Sequence, residues 1–421
     1  MSNNKDQQAI LSKLGISELN EMQIEAGKYI AEKSEVVLLS PTGTGKTLAF
    51  LLPILERLDA SLVEIQALIV VPSRELAIQI EQVIREMGSG HKAIAVYGGK
   101  SGSKDRIELK HPPTILVGTP GRVADHIRTE VINTAYIKTL VLDEFDKSLE
   151  IGFQEEMEEI LTALTKVDKK ILTSATQKAK VPRFVGLQDA KHLNFLKDSI
   201  QNQIEFKIVD CPNDNKLESL ARLLIHIGTG NGIVFCNLKD SINEVSEYLF
   251  EAGIDHTCFH GSLEQMDRER SLIKFRNGTH RILLATDLAA RGIDVPELDF
   301  IVHYQLPFKK EEFTHRNGRT GRMNSTGTSY IMKWVKEPLP SFIPNVESIK
   351  LIGGGKPTPQ QWETIYISGG RKDKISKGDI AGLFFKQGNL EKNELGIIEL
   401  KQDASYVSVP FKKAKSLVSK L

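Results

Sequence analysis

Three groups of residues have types and spacings suited to phosphate chemistry. The first is 40–47, Ser-Pro-Thr-Gly-Thr-Gly-Lys-Thr, set between the apolar run 35–39 and the helical pattern 47–58. Glycines there let backbone N–H groups close around phosphate oxygens, and a helix N-terminus adds a favourable dipole. Thr42, Gly43, Thr44 and Gly45 form the cradle, Lys46 suits the β- and γ-phosphates, and Thr47 suits Mg²⁺. The usual pattern has Gly where this chain has Ser40, so a chance glycine turn is the plain alternative for the loop alone. The second group is Asp143-Glu144-Phe145-Asp146, closing the apolar run before it. An acidic pair at a strand's carboxyl end lies where an α/β sheet binds its ligand. Asp143 suits Mg²⁺, directly or through water, and Glu144 suits orienting or activating an attacking water. Alone, such residues read as a helix cap worth about 1 kcal/mol; a preceding phosphate loop favours catalysis.

The third group is 315–322, His-Arg-Asn-Gly-Arg-Thr-Gly-Arg. Its three arginines suit an anionic transition state, because guanidinium is forked and always charged. A transition-state arginine contributes about 10³–10⁵ in rate. A solvated basic loop is the bland reading. The phosphate loop and this segment fall in different halves of the chain, so hydrolysis would require the halves to close.

The elements that must position these residues are apolar runs alternating with amphipathic helical stretches. Runs at 35–40, 66–73, 92–99, 113–120, 138–145 and 169–176 alternate with helices such as 73–87. Several are apolar on both faces, as parallel strands covered by helices are. The rhythm pauses at 197–204 and restarts with runs at 204–211, 232–237, 256–261, 281–287, 299–307 and 327–334. Two α/β lobes joined by a polar linker are expected. A Gly/Pro-rich stretch at 353–361 marks a second linker. Beyond it, strands at 363–368, 395–401 and 404–410 and helices at 377–387 and 411–421 read as β-α-β-β-α.

Composition limits the alternatives. A chain of 421 residues with 40% hydrophobic and 26% charged residues is ordinary for a globular protein of two to three domains. It has no apolar run of about 18 residues and no apolar segment at its N-terminus, so the expectation is no membrane span and a cytoplasmic location. Cys211, Cys236 and Cys258 lack zinc spacing and are expected to be buried, with no structural metal. The net charge of +1 excludes wholesale electrostatic adhesion to nucleic acid but not a local basic channel.

With further motifs, these segments resemble the DEAD-box family of superfamily 2 helicases over roughly residues 15–335. The resemblance implies an ATP-dependent, RNA-stimulated ATPase built of two RecA-like parallel-sheet lobes in tandem, with ATP and Mg²⁺ as cofactors. Its phosphate loop has a small residue at the Ser40 position. It implies that Gln23 reads adenine, for which a glutamine amide is chemically suited, although residues 1–22 lack the family's upstream stacking aromatic. Pro72 and Arg74, Gly98 and Gly99, and Thr119, Pro120, Gly121 and Arg122 match its first-lobe RNA motifs. Ser174 and Thr176, with Asp146, match the motif coupling hydrolysis to unwinding. In the second lobe Gln265, Arg268 and Thr286 match RNA contacts, and Asp294 matches a contact to the ATP ribose. Arg319 and Arg322 match its two finger arginines, and His315 its inter-lobe residue. One departure is Phe145, where the family has alanine; local repacking without lost catalysis is expected.

The tail resembles the RNA-binding domain of the DbpA subgroup, a small α+β RRM-like domain, here lacking its last strand. That resemblance implies docking on structured ribosomal RNA and a role in ribosome assembly. Strand alternation places Thr364, Tyr366 and Ser368 on one face, shared with Tyr406 and Ser408, where tyrosines can stack on bases. Lys and Arg outnumber Asp and Glu by 11 to 7 over 363–421. The expected domains are 1–200, 205–345 and 362–421, in a monomer. A superfamily 2 DNA helicase and a non-unwinding ATP-gated RNA clamp stay open as alternatives.

Overall fold

The structure, a computed structural model, describes residues 3–99, 102–150, 152–176, 181–196, 204–212, 216–290, 293, 295, 297–321, 326–351 and 355–421. Arg322, Asp294 and most of the 197–204 linker lie outside the described residues. The chain divides into two compact units, one over residues 1–200 and one over residues 201–290 and 295–421.

In the first unit, β1 (Glu35–Leu39), β2 (Ala67–Val70), β3 (Ala93–Val96), β4 (Ile115–Gly118), β5 (Thr139–Leu142), β6 (Lys169–Ser174) and β7 (Lys191–Asn194) form a parallel sheet. Their order is β3-β4-β2-β5-β6-β1-β7. Every residue of β2, β4 and β5 is buried, because helices cover both faces. Alternate side chains serve two cores: Val36 and Leu38 face one, Val37 and Leu68 the other. β7 was not among the expected runs. It is a short edge strand of Lys-His-Leu-Asn whose Leu193 alone is buried, so hydropathy cannot announce it.

The strand order sorts the motifs. The carboxyl ends of β5, β6 and β1 are neighbours, with Leu39 registered on Ser174, so Asp143, Ser174 and the 40–47 loop emerge side by side. The ends of β3, β4 and β2 are likewise neighbours, and from them emerge Gly98 and Gly99, Thr119–Arg122, and Pro72 and Arg74. One stretch of the sheet rim thus gathers the residues expected to handle phosphate and the other those expected to meet RNA.

In the second unit, β8 (Ile204–Cys211), β9 (Gly232–Cys236), β10 (Thr257–Phe259), β11 (Ile282–Thr286), β12 (Phe300–His303) and β13 (Gly327–Trp334) form a parallel sheet in the order β10-β11-β9-β12-β13-β8. Cys211 and Cys236 are buried; Cys258 is only half-buried, a correction to the expectation for all three.

The tail is an antiparallel sheet of β14 (Trp362–Ile367), β15 (Ile398–Leu400) and β16 (Ser405–Pro410), ordered β14-β16-β15, with helices Lys377–Lys386 and Phe411–Lys420. Ile365, Val407 and Val409 face those helices with Ile380, Phe384 and Leu417. Thr364 pairs with Ser408 and Tyr366 with Tyr406, so they share the opposite face as expected. That face is not open along its length. Thr364 Oγ1 lies 2.7 Å from Thr279 Oγ1, Ser408 Oγ donates to the Asn277 carbonyl at 2.7 Å, and Glu399 forms a forked pair with Arg276. The strand face therefore rests on the end of helix Gln265–Arg276 and the turn after it.

Candidate active site

The phosphate loop owes its path to Gly43 and Gly45, at φ 81° and 84°. A Cβ on Gly45 would lie 2.3 Å from Gln23 Nε2, so glycine also admits the glutamine. Gln23 is held at both ends of its amide: Oε1 accepts from the Asn20 N–H at 3.0 Å, and Nε2 donates to the Gly45 carbonyl at 3.2 Å. Ser40 Oγ sits 2.7 Å from Thr44 Oγ1, so the serine that departs from the usual pattern braces the loop internally. Lys46, buried, donates to the Ser40 and Pro41 carbonyls at 2.7 Å each. Those carbonyls hold the ammonium inside the loop that curves around it.

The carboxylates stand on the neighbouring strand ends. The Thr173 hydroxyl donates to Asp143 Oδ1 and accepts from the Glu144 N–H at 3.1 Å, so one threonine of β6 fixes both. Glu144 has φ 47°, in the left-handed region. This unfavourable conformation for a non-glycine residue is held by the buried strand ends on either side. Burial pushes the Asp143 carboxyl above its ordinary range, against the pull of the Thr173 hydroxyl and the Lys46 charge. Asp146 is likewise raised by burial, and its Oδ2 accepts from the Thr176 hydroxyl at 3.0 Å. Ser174 Oγ accepts from the Thr176 N–H at 2.9 Å. Buried carboxylates beside a lysine and Thr47 are a donor set that fits a hard cation. No group of three or more His, Cys, Asp or Glu among the described residues is placed to hold a metal alone.

On the other stretch of rim, the arginines lie on glycine. A Cβ on Gly99, at φ 86°, would meet the Arg74 guanidinium at 2.5 Å; one on Gly102 would meet Arg122 at 3.1 Å. Arg122 Nε donates to Asp105 Oδ2 at 2.8 Å, and His126 Nε2 lies 3.2 Å from the same oxygen. Asp105 is fully buried. Thr119 and Pro120 are buried and Gly121 is half-buried at the start of helix Pro120–Arg128.

The sequence is similar to known proteins along most of its length. Residues 20–184 match the DEAD/DEAH box helicase family, 215–324 the helicase conserved C-terminal domain, and 364–421 the DbpA RNA binding domain. The ATP-dependent RNA helicase DbpA of Bacillus subtilis is 31% identical over 95% of this chain and 91% of its own length. That of Escherichia coli is 32% identical over 95% and 90%. The chain belongs to the DEAD-box family of ATP-dependent RNA helicases, in its DbpA-like subgroup. Among solved structures, S. cerevisiae Dbp5 bound to RNA and ADP BeF3 aligns with a TM-score of 0.71 and 27% identity, covering 79% of this chain and 88% of that one. Mss116p bound to ssRNA and AMP-PNP gives 0.70 and 26%, covering 79% and 72%. The family is one of RNA-stimulated ATPases that bind RNA and use ATP.

Within the DEAD-box frame, Phe145 is fully buried in the core beneath β5, where the family has alanine. In the second unit, Gln265 begins helix Gln265–Arg276, its Nε2 donating to Glu269 at 3.3 Å, and Arg268 lies over the Phe259 ring at 4.9 Å. Thr286 ends β11, and His315 and Arg319 are buried at the end and just beyond the end of helix Lys310–Asn317. The expectation that all three arginines of 315–322 serve an anion is corrected for Arg316. It is 1% exposed, forks onto Asp287 at 2.7 and 2.5 Å, and donates to Asn237 and to the Gln305 carbonyl. Its charge is spent inside the lobe. Burial, aided by the same guanidinium's charge, drives His303 down to about 3. Sequence reasoning missed Thr173 and Asp105; each is a lone polar residue whose partner is set only by the fold. No helix among the described residues is long and apolar enough to cross a membrane.

Proposed function

We propose that this DEAD-box protein couples ATP hydrolysis to local unwinding of RNA duplexes, and that its target is structured ribosomal RNA in ribosome assembly. The carrying observation is the Asp146–Thr176 hydrogen bond at 3.0 Å, which joins the acidic strand end to the Ser174–Thr176 segment. When bound, Mg²⁺–ATP supplies the phosphoanhydride and neutralises phosphate charge. Lys46 exchanges its carbonyl partners for the β- and γ-phosphates, Thr47 and Asp143 hold the cation, and Thr42–Gly45 line the cradle. Gln23 and Asp294 orient adenine and ribose. Glu144 takes the proton of the attacking water, its carboxylate aimed by the fixed backbone. Arg319 and Arg322 stabilise the charge that develops on the transferring phosphoryl group. Pro72, Arg74, Gly98, Gly99, Thr119–Arg122, Gln265, Arg268 and Thr286 hold the sugar–phosphate backbone, which positions RNA without reading sequence. RNA gripped by both lobes links their closure to hydrolysis. The protein acts in the cytoplasm as a monomer.

The ribosomal target is supported by the DbpA-like tail. The test is displacement of a labelled strand from a short duplex joined either to a large-subunit ribosomal RNA fragment or to unrelated RNA. Faster displacement on the ribosomal fragment is expected. ATP turnover without displacement would make the protein a clamp, and equal rates on both RNAs would remove the ribosomal target.

A further inference from the structure

The second parallel sheet carries a cavity that no residue matched to ATP or RNA lines. Strands β9 and β12 are neighbours, yet the helices that follow them join opposite cores. Ile242, Val245 and Leu249 of helix Lys239–Glu251 pack in one, and Phe313 of helix Lys310–Asn317 packs in the other. At such a reversal the loops leaving the two strands part, and a crevice opens at their carboxyl ends. Here it is a cavity of about 800 Å³. Tyr304, Pro307 and Phe308 line it from the chain after β12, Trp334 and Pro338 from the end of β13 and the turn beyond, and Tyr248 from helix Lys239–Glu251. Tyr304 and Pro307 are buried, whereas Phe308 is 79% exposed. Leu238 and Val335, also exposed, adjoin the same strand ends, so three loops present apolar groups to solvent.

The polar groups of the cavity narrow its ligand. The Lys216 ammonium packs over the Tyr304 and Trp334 rings at 5.5 and 5.4 Å, and Glu337 accepts from the Trp334 backbone N–H at 2.9 Å. Asn237 and Gln305 are turned onto their own chain, donating to the Leu306 carbonyl and to Ser241 Oγ at 3.0 Å each. Among the described residues, the Trp334 indole N–H, the Tyr248 and Tyr304 hydroxyls and the exposed Glu244 carboxylate make no hydrogen bond or ion pair. We infer that this cavity binds a proline-rich segment of a partner protein in the polyproline II conformation, with a basic residue of that segment beside Glu244. Aromatic rings and prolines form the kind of groove that grips such a segment. Its backbone has no internal hydrogen bonds, so its carbonyls are free to accept from the indole and the phenols. Being already extended, it loses little freedom on docking. Two lining carboxylates against one ammonium disfavour RNA, whose phosphates would meet like charge. The second lobe can thus hold a protein partner without giving up the residues proposed for ATP and RNA.

The test uses the full chain carrying Trp362→Phe, which leaves Trp334 as its one tryptophan. Two decapeptides are titrated while Trp334 emission is read. Each has the pattern Pro-x-x-Pro among leucines, and the single arginine stands at the start of one and at the end of the other. Saturable change in emission with at least one of them is expected, and none with its proline-to-alanine counterpart. Phe308→Ala should weaken binding about tenfold, as loss of an aromatic anchor does. Glu244→Lys should weaken the arginine peptide about tenfold and leave its arginine-to-glutamine version unmoved; general damage would weaken both. Both side chains are exposed, so neither variant empties the core. The site is overturned if neither peptide changes the emission, if Phe308→Ala binds like the parent, or if the alanine counterpart binds equally well. It is also overturned if a ten-nucleotide single-stranded RNA changes Trp334 emission at lower concentration than the peptides, which would make the cavity a nucleic-acid site.

Discussion

Thr176 donates its hydroxyl to Asp146 Oδ2 at 3.0 Å, tying the segment after β6 to the acidic run after β5. Asp146 is buried, and burial already holds its carboxyl up. A hydrogen bond to such a charged group is worth about 1.5–3 kcal/mol. Thr176→Ala removes it without touching Lys46, Asp143 or Glu144. RNA-stimulated ATP turnover should stay within about threefold of the parent, while strand displacement falls about tenfold or more. Measuring both on one preparation decides the matter: if they fall together, Thr176 serves hydrolysis and not its coupling.

Parallel strands were readable because a strand buried on both faces is an apolar run, as 67–70 and 139–142 are. The edge strand β7 was not, since three of its four residues are not buried. The phosphate loop and the carboxylates were legible from residue type and spacing, because their chemistry is local. Partnerships between distant residues were not. Thr364, Ser408 and Glu399 look like any solvent-facing strand residues until Thr279, Asn277 and Arg276 are folded against them. Arg316 could not be told from Arg319 by type; its fork onto Asp287 is set only by the fold.

Asp105 is such a hidden partner, and its substitution isolates what it does. Its buried carboxylate holds Arg122 Nε at 2.8 Å, on the rim that carries the RNA motifs. Asp105→Asn keeps the shape and removes the charge that aims the guanidinium. The RNA concentration for half-maximal ATPase stimulation should rise about tenfold, a loss of roughly 1.4 kcal/mol. Turnover at saturating RNA should stay within about twofold. A fall in saturated turnover with unchanged RNA dependence would show that Asp105 does not act through RNA binding.

Phe145→Ala restores the family's tetrapeptide and should nonetheless harm the fold. The ring is fully buried among the residues of one core. Emptying that space costs about 3–5 kcal/mol, which lowers the midpoint of thermal unfolding by roughly 6–20 °C for a unit of this size. Differential scanning calorimetry reads this directly, with ATPase assayed well below the transition expected to persist. An unchanged midpoint would mean that the core does not depend on the phenyl ring.

Asp143→Asn should do the reverse, gaining stability while losing turnover. Burial holds the Asp143 carboxyl above its ordinary value of 3.8, outweighing Thr173 and Lys46. Between 3.8 and the raised folded value, the native chain keeps a proton that the unfolded chain releases. Stability therefore falls as pH rises through that window, and the full penalty stands above it. Asparagine is uncharged throughout, and its Oδ1 can still accept from Thr173. Without nucleotide, Asp143→Asn should unfold at higher urea than the parent at about pH 7.5, and the gap should shrink on acidification towards the ordinary carboxylate range. Glu144→Gln is the contrast: it should keep nucleotide affinity and lose about 10²–10⁴ in turnover, as removal of a general base does. Asp143→Asn is expected to lose turnover too, as the proposed cation ligand. Urea midpoints that coincide for Asp143→Asn and the parent across the pH range would show that the buried carboxylate is already compensated in the nucleotide-free protein.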